Sequence, residues 1–363
     1  MTEKLTIQDI AHLAGVSKAT VSRVLNQKPD VDPATRERIL RIMQEQGFVP
    51  SITASGLANG RSRLIGVLIP SLTWPLIPEM MRGVAEVVGK TSYELVLYSI
   101  NDINHEKDRS DVITRILSTQ LTSGLLAIYP GQSSQYLTKL HQQGFPIVLI
   151  DDQILPPADT PWIGSDNYSG GYEATRYLLQ LGHRRIAHIQ GPLKYQCSHD
   201  RYNGYRDALR EFGLEPDPAL VLQGDFMPPS GRANAHTLFS LPERPTAIFA
   251  SNDYMAYGVM ATAEEYGLRI PEDISIVGFD DTYPSALMQP PLTSVRQPFF
   301  DMGQRAIKLM LSLLESPAQA RGTWNQYGTT PAASVQNEPV RIQLPTNLVI
   351  RASCSASTSV IVD

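Results

Sequence analysis

"GVSKATVSRVLN", residues 15–26, decides how the first part of the chain is read. Gly15 marks a turn and Ser17 a helix cap. The short helix that follows is two-sided, with Val21, Val24 and Leu25 on one side and Lys18, Ala19, Ser22, Arg23 and Asn26 on the other. Upstream, Thr6 with Asp9 has the spacing of a capping box, and Ile7, Ile10, Ala11 and Ala14 follow at helical intervals. Downstream, Asp32 and Pro33 open a third helix with the stripe Ile39, Ile42 and Met43, which Gly47 ends. Three short helices with a tight turn between the first two describe a helix-turn-helix unit. Its second helix would enter the DNA major groove with its N-terminal residues at the base edges. A plain three-helix domain with a solvated polar face has the same spacing, so the residues alone leave both readings open.

Charge is unevenly spread around this unit. Residues 1–63 carry nine Lys and Arg against six Asp and Glu, whereas the whole 363-residue chain has a net charge of −5. A basic head on an acidic body predicts that only the head meets a polyanion. Hydrophobic residues make up 42% of the chain, too many for disorder. No apolar run approaches the ~20 residues of a membrane span, and "MTEKLTIQDI" has no signal-peptide core. A cytoplasmic protein without membrane contact is expected. The two cysteines, Cys197 and Cys354, form neither a disulfide framework nor a metal-ligand spacing, so no metal and no cofactor is expected.

Residues 51–63 read as a hinge helix and linker. Thr53, Ser55 and Gly56 are poor helix formers, so this short helix is marginal alone, and Leu57 is its large apolar residue. From residue 64 strands alternate with helices. Strands are predicted at 64–70, 93–100, 124–130, 146–151, 185–192, 246–253 and 274–281. Helices are predicted at 79–90, 104–119, 169–181, 199–212, 253–266 and 299–315. The alternation implies two doubly wound parallel-sheet lobes, splitting near residue 160 with the chain crossing back near 290. The predicted organisation is a head at 1–50, the hinge at 51–63, a body at 64–355 and a tail at 356–363, with an aperiodic loop at 317–340. In such lobes ligands bind beyond the carboxyl ends of strands, where Asp151, Asn252 and Asp280 fall. No P-loop, nucleophile elbow or metal cluster is present, which argues against an enzyme. His183, His188 and His199 read as core or surface residues.

Over roughly residues 5–355 the chain resembles the lactose/galactose-repressor family of bacterial transcription regulators. The resemblance rests on "TIQDIAHLAGVSKATVSRVLN" (6–26), "TRERILRIMQEQGFVPS" (35–51), "LGHRRIAHIQGP" (181–192), "FASNDYMAYGVM" (249–260), "PEDISIVGFDD" (271–281), "PPLTSVRQP" (290–298) and "LPTNLVIR" (344–351), in the family's order. It implies an all-α helix-turn-helix head and a periplasmic-binding-protein-like α/β body of two lobes. It implies a homodimer on a palindromic operator, controlled by a small-molecule effector, most simply a mono- or oligosaccharide. Lys18 and Ala19 match the pair that sets operator preference. Thr6, Ser17, Thr20, Ser22, Arg23 and Asn26 match other base or phosphate contacts. Ala54 and Leu57 match the hinge helix, whose leucine wedges into the minor groove.

In the body, Asp151, Arg201, Asn252 and Asp280 match effector-bonding positions, and Phe226 and Phe299 match apolar walls. Trp74 and Tyr195 complete the candidate effector set. Asn252 and Asp280 can also be read as caps of the segments after them, Arg201 as a salt-bridge arginine, and Trp74 as an interface residue. Departures disfavour a purine effector. "WPLI" (74–77) lacks the family's base-stacking aromatics, and Tyr195 stands where purine-binding members carry a second arginine. Two other readings are a catabolite-control-type regulator with a protein corepressor and a sugar-binding protein without a regulatory role.

Overall fold

The computed structural model describes residues 5–25, 28–48, 62–100, 113–114, 119, 121–150, 153–315 and 341–357. The chain divides into two units, residues 1–63 and 64–363.

The first unit holds α1 (Ile7–Leu13), α2 (Lys18–Leu25) and α3 (Pro33–Glu45). Each start is chemically specified. Thr6 and Asp9 form a reciprocal capping box. Ser17 Oγ accepts from the Thr20 amide at 3.1 Å. Asp32 Oδ2 accepts from the Thr35 amide at 2.9 Å, with Pro33 in the first turn. Gly15 and Gly47 end α1 and α3 with φ of +64° and +57°, a conformation that L side chains resist. Ile10, Ala11, Ala14, Val21, Val24, Val31, Ile39 and Met43 close the core, and Leu25 and Ile42 pack half-buried against it.

The second unit runs β1 (Leu64–Ile69), α4 (Ile77–Val88), β2 (Glu94–Ser99), β3 (Gly124–Ile128), α5 (Ser134–Gln142), β4 (Ile147–Ile150) and β5 (Trp162–Ser165). It continues through α6 (Asn167–Gln180), β6 (Ile186–Gln190), α7 (Gln196–Glu211), β7 (Val221–Gln223), α8 (Pro228–Phe239), β8 (Ala247–Ala250), α9 (Asp253–Glu265), β9 (Ser275–Asp280) and β10 (Thr293–Arg296). It ends with α10 (Phe299–Glu315), β11 (Arg341–Leu344) and β12 (Asn347–Val349). Two six-stranded sheets result, ordered β11-β5-β4-β3-β1-β2 and β12-β10-β9-β8-β6-β7. Every pairing is parallel except β10 with β12. Strands β1, β3, β4, β8 and β9 are buried along their whole length, which is why they read as continuous rather than alternating apolar runs.

In the first lobe α4 and α10 cover one face of the sheet through Met80, Val84, Met302 and Met310, and α5 covers the other through Leu137 and Leu140. In the second lobe α8 and α9 cover one face, and α6 and α7 the other. The sequence predicts two crossings between lobes, whereas the structure has three, at 166, 297–298 and 345–346. The unread crossing joins β11 to β12, which together with β5, β7 and β10 are strands of three or four residues. Helices α5 and α8 are likewise absent from the sequence expectation. The expected helix at 104–119 and loop at 317–340 lie outside the described residues, apart from residues 113, 114 and 119 of the helix.

Helices α6 and α7 meet backbone to backbone. A Cβ at Gly171 would stand 2.4 Å from the Arg201 carbonyl oxygen, and one at Gly204 would stand 2.3 Å from that of Tyr168. This approach fixes the depth at which Arg201 enters the space between the lobes.

Candidate functional site

On α2, Lys18, Ala19 and Arg23 are exposed with Ser17 before them, while Thr20 and Ser22 are half-buried. The buried residues Val21 and Val24 pin the opposite side of the helix, so the polar face is presented by packing. Arg23 lies 3.5 Å from Asp30, both well exposed, a contact weak enough for the guanidinium to exchange partners. Thr6 is engaged by Asp9, its hydroxyl donating to Oδ2 at 2.7 Å. Asn26, Ala54 and Leu57 lie outside the described residues.

In the body a cluster forms around Arg201, which is 4% exposed. Its Nε donates to Asn167 Oδ1 at 2.9 Å and its Nη1 to the Ser251 carbonyl at 2.5 Å. Its Nη2 lies 3.7 Å from Asp280 Oδ1, and the guanidinium sits 3.7 Å from the centroid of the Phe279 ring. Asp280 in turn accepts from Gln297 Nε2 at 2.6 Å. Asn167 opens α6 at the first crossing and Gln297 lies at the second, so the cluster draws on both lobes' connections. Asn252 has two tasks: its Oδ1 caps α9 by accepting from Met255 N at 2.9 Å, and its Nδ2 donates to the Phe226 carbonyl at 3.0 Å. Phe226 stacks on Tyr195 at a centroid distance of 6.1 Å. Gly191 makes room for Phe226, whose ring would lie 2.1 Å from a Cβ there.

The remaining candidates belong to the first lobe. Trp74 packs edge-on against Tyr129 at 5.3 Å, and Phe299, 6% exposed, sits in the same core cluster. Asp151 lies outside the described residues. Asn167, Ser198, Gln297 and Tyr129 are additional members that the sequence reading lacks. Asn167 follows β5, too short a strand to be recognised, so nothing flagged its end as a ligand position. Gln297 was legible only as part of the family stretch "PPLTSVRQP" (290–298).

Two features set this region apart. Tyr129, Phe226, Asp280 and Asp281 have positive φ of 47°, 69°, 103° and 50°, and each lies at or just after the carboxyl end of a strand. Such backbone costs of order 1–3 kcal/mol per residue and gathers at ligand sites. Among the described residues, Ser198 Oγ and Gln297 Oε1 are buried without a hydrogen-bond partner. A bound polar molecule would satisfy them. Beneath Arg201, His188 is fully buried, and that burial pushes its pKa down to about 3. It is neutral at any physiological pH: its Nδ1–H donates to the Phe249 carbonyl at 3.0 Å and its ring stacks on Phe249 and Tyr205.

An exposed helix-turn-helix face on one unit and an interlobe cluster on the other define a DNA-binding, ligand-responsive regulator. A model described as bacterial regulatory proteins of the lacI family matches residues 6–51, and a periplasmic binding protein-like domain matches residues 175–354. The HTH-type transcriptional repressor CytR of Escherichia coli strain K12 is 32% identical over 319 residues, 88% of this chain and 92% of its own. The solved lac repressor dimer bound to operator and the anti-inducer ONPF is 28% identical with a TM-score of 0.82, over 98% of this chain and 100% of that one. The transcriptional regulator CelR–cellobiose complex is 30% identical with a TM-score of 0.68, over 96% and 99%. The chain belongs to the lacI family of bacterial regulatory proteins. It is a DNA-binding transcriptional repressor regulated by a small-molecule effector. No described helix is long and apolar enough to cross a membrane.

Proposed function

We propose that the effector is a neutral saccharide bound around Arg201 and that the protein acts as a homodimer on a palindromic operator. The observation that carries the effector class is the pair of buried, unpartnered atoms, Ser198 Oγ and Gln297 Oε1, beside the Arg201–Asp280 pair. Donors and acceptors of both signs suit hydroxyl groups, which both donate and accept. Phe226 and Tyr195 offer an aromatic surface for the C–H face of a sugar ring. The solved CelR relative with cellobiose and the lac repressor dimer with operator support the same reading. Thermal-shift titration with a panel of sugars tests it. The reading predicts a stabilising sugar that also changes operator affinity, and a panel without one would overturn it.

On DNA, Lys18 and Ala19 set base preference, Ser17, Thr20 and Ser22 position the helix on the backbone, and Arg23 reads a guanine. An Arg23→Ala protein is expected to lose about 1–3 kcal/mol of discrimination at one operator position, roughly 5- to 150-fold. Competition between the operator and single-base variants in fixed salt measures this. Uniform weakening on all sequences would make Arg23 a phosphate contact instead.

Dimerisation follows from symmetry, since two heads on one rigid pair of bodies match two half-sites of a palindrome. Sedimentation at micromolar concentration is expected to show a dimer. A monomer with intact operator binding would contradict it.

A further inference from the structure

A cleft opens beside the Arg201 cluster, with a volume of about 440 Å³, inside the range of small-molecule sites. Its walls come from both lobes. Trp162, Arg341 and Gln343 stand on β5 and β11 of the first lobe, and Gln196 and Asp200 on the first turns of α7 in the second. Asn167 joins it to the Arg201 cluster, because the side chain that lines this cleft also accepts from Arg201 Nε.

The chemistry of the walls is specific. Asp200 and Arg341, of opposite charge, both line the cleft. Arg341 donates through Nη2 to the Pro156 carbonyl, its Nε is buried without a hydrogen-bond partner among the described residues, and its guanidinium lies 5.9 Å from the Trp162 ring centroid. Gln196 Nε2 donates to Asp200 Oδ1 at 2.8 Å, the hydrogen bond to this carboxylate among the described residues. Burial raises the Asp200 pKa, so its carboxylate gains from any further donor. A carboxylate, a guanidinium and primary amides around an indole are the groups that bond sugar hydroxyls from the sides while a ring face packs on an aromatic surface. Leu155, 57% exposed, also lines the cleft, which is open to solvent.

We infer that this cleft is a second saccharide subsite, and that the effector is an oligosaccharide with one ring against Arg201 and Phe226 and the next against Trp162, Asp200 and Gln343. This rests on the saccharide reading above and adds chain length to it. The inner ring is enclosed and sets recognition, whereas the outer ring lies in the open cleft and adds affinity.

The test compares matched sugars of increasing length on the full-length protein: glucose, cellobiose and cellotriose; glucose, maltose and maltotriose; galactose and lactose. The best ligand is expected to have at least two rings and to bind at least about tenfold more tightly than its own monosaccharide. Gln343→Ala and Asp200→Asn are each expected to weaken that ligand about tenfold while the monosaccharide affinity stays within about twofold of the parent. Melting curves of both variants establish that they fold. A monosaccharide that binds as tightly as its oligomers, or an oligosaccharide indifferent to both substitutions, would overturn the second subsite and leave the saccharide reading standing. Binding by no sugar in the panel would remove the saccharide reading, and the subsite with it.

Discussion

An Arg201→Ala protein is expected to lose its effector response while keeping its operator. Arg201 is the cation of the interlobe cluster and holds Asn167, the Ser251 carbonyl and Asp280 in one place. Charge-assisted hydrogen bonds are worth about 1.5–3 kcal/mol each, so losing two to a sugar costs at least about a hundredfold in affinity. The fold also suffers, because Asp280 is left buried with Gln297 as its donor. Breaking a buried pair in this way costs roughly 3–5 kcal/mol, so the melting temperature should fall as well. Arg201→Lys separates the two effects. It keeps the charge beside Asp280 but lacks the planar fork that spans Asn167 and Ser251. It is expected to recover part of the stability and little of the affinity. The measurements are two titrations well below the melting temperature, DNA without sugar and sugar without DNA. Equal loss of both would show that Arg201 supports the fold and not the site.

The second large effect lies one residue beyond Asn252. Asp253 is fully buried, and its Oδ2 accepts from Thr282 N at 2.6 Å, Thr282 Oγ1 at 3.1 Å and Ser285 Oγ at 2.7 Å. Its Oδ1 accepts from Ser294 Oγ at 2.5 Å. These bonds tie α9 and β10 to the segment just after the positive-φ residues Asp280 and Asp281. Asp253→Ala removes the acceptor of four donors and opens a polar void, a loss of at least about 4 kcal/mol if each costs ~1 kcal/mol, the low end of the range for an orphaned buried group. Asp253→Asn is milder. Its oxygen can take the Oδ2 place, and its NH₂ can donate to Ser294 once that hydroxyl turns.

The same pair of variants carries a pH dependence. Burial first, and the negative Asp280 second, raise the Asp253 carboxyl to about 7 against the bonds from Ser294, Ser285 and Thr282. An unfolded aspartate titrates near ~3.9. Between those values the folded chain holds a proton that the unfolded chain has released. The contribution of this group to stability is therefore full below pH ~4, is lost as pH rises towards 7, and is flat above. Relative to Asp253→Asn, the parent should lose stability across that window in denaturant titrations at stepped pH. A parent-minus-variant difference that rises with pH would contradict this.

Much of the fold was legible because the decisive signals are local. Capping residues Thr6, Ser17 and Asp32 accept from amides three residues on, and the stops Gly15 and Gly47 need only their own φ. The buried strands at 64–69, 124–128 and 147–150 announced themselves by unbroken apolar runs. Strands β7, β10, β11 and β12 were not legible. Each is three or four residues long and exists because a neighbouring strand offers a free edge, which no window of the sequence contains.

The division is the same in the site. The sequence by itself put Asp151, Asn252 and Asp280 at strand ends, and the family resemblance added Arg201, Phe226 and Tyr195 to the candidates for a polar ligand. It also determined that the head carries the basic face. Only the tertiary structure decided that Arg201 is held by Asn167, 34 residues away, and by Ser251, 50 residues away. It decided that Phe299 sits with Trp74 in the first lobe's core cluster. It also decided that Ser198 and Gln297 are left with unpartnered buried atoms. A hydrogen bond between distant residues depends on the register of two sheets and on backbone contacts such as Gly171 against Arg201, quantities set by the packing of the whole lobe and carried by no single stretch of chain.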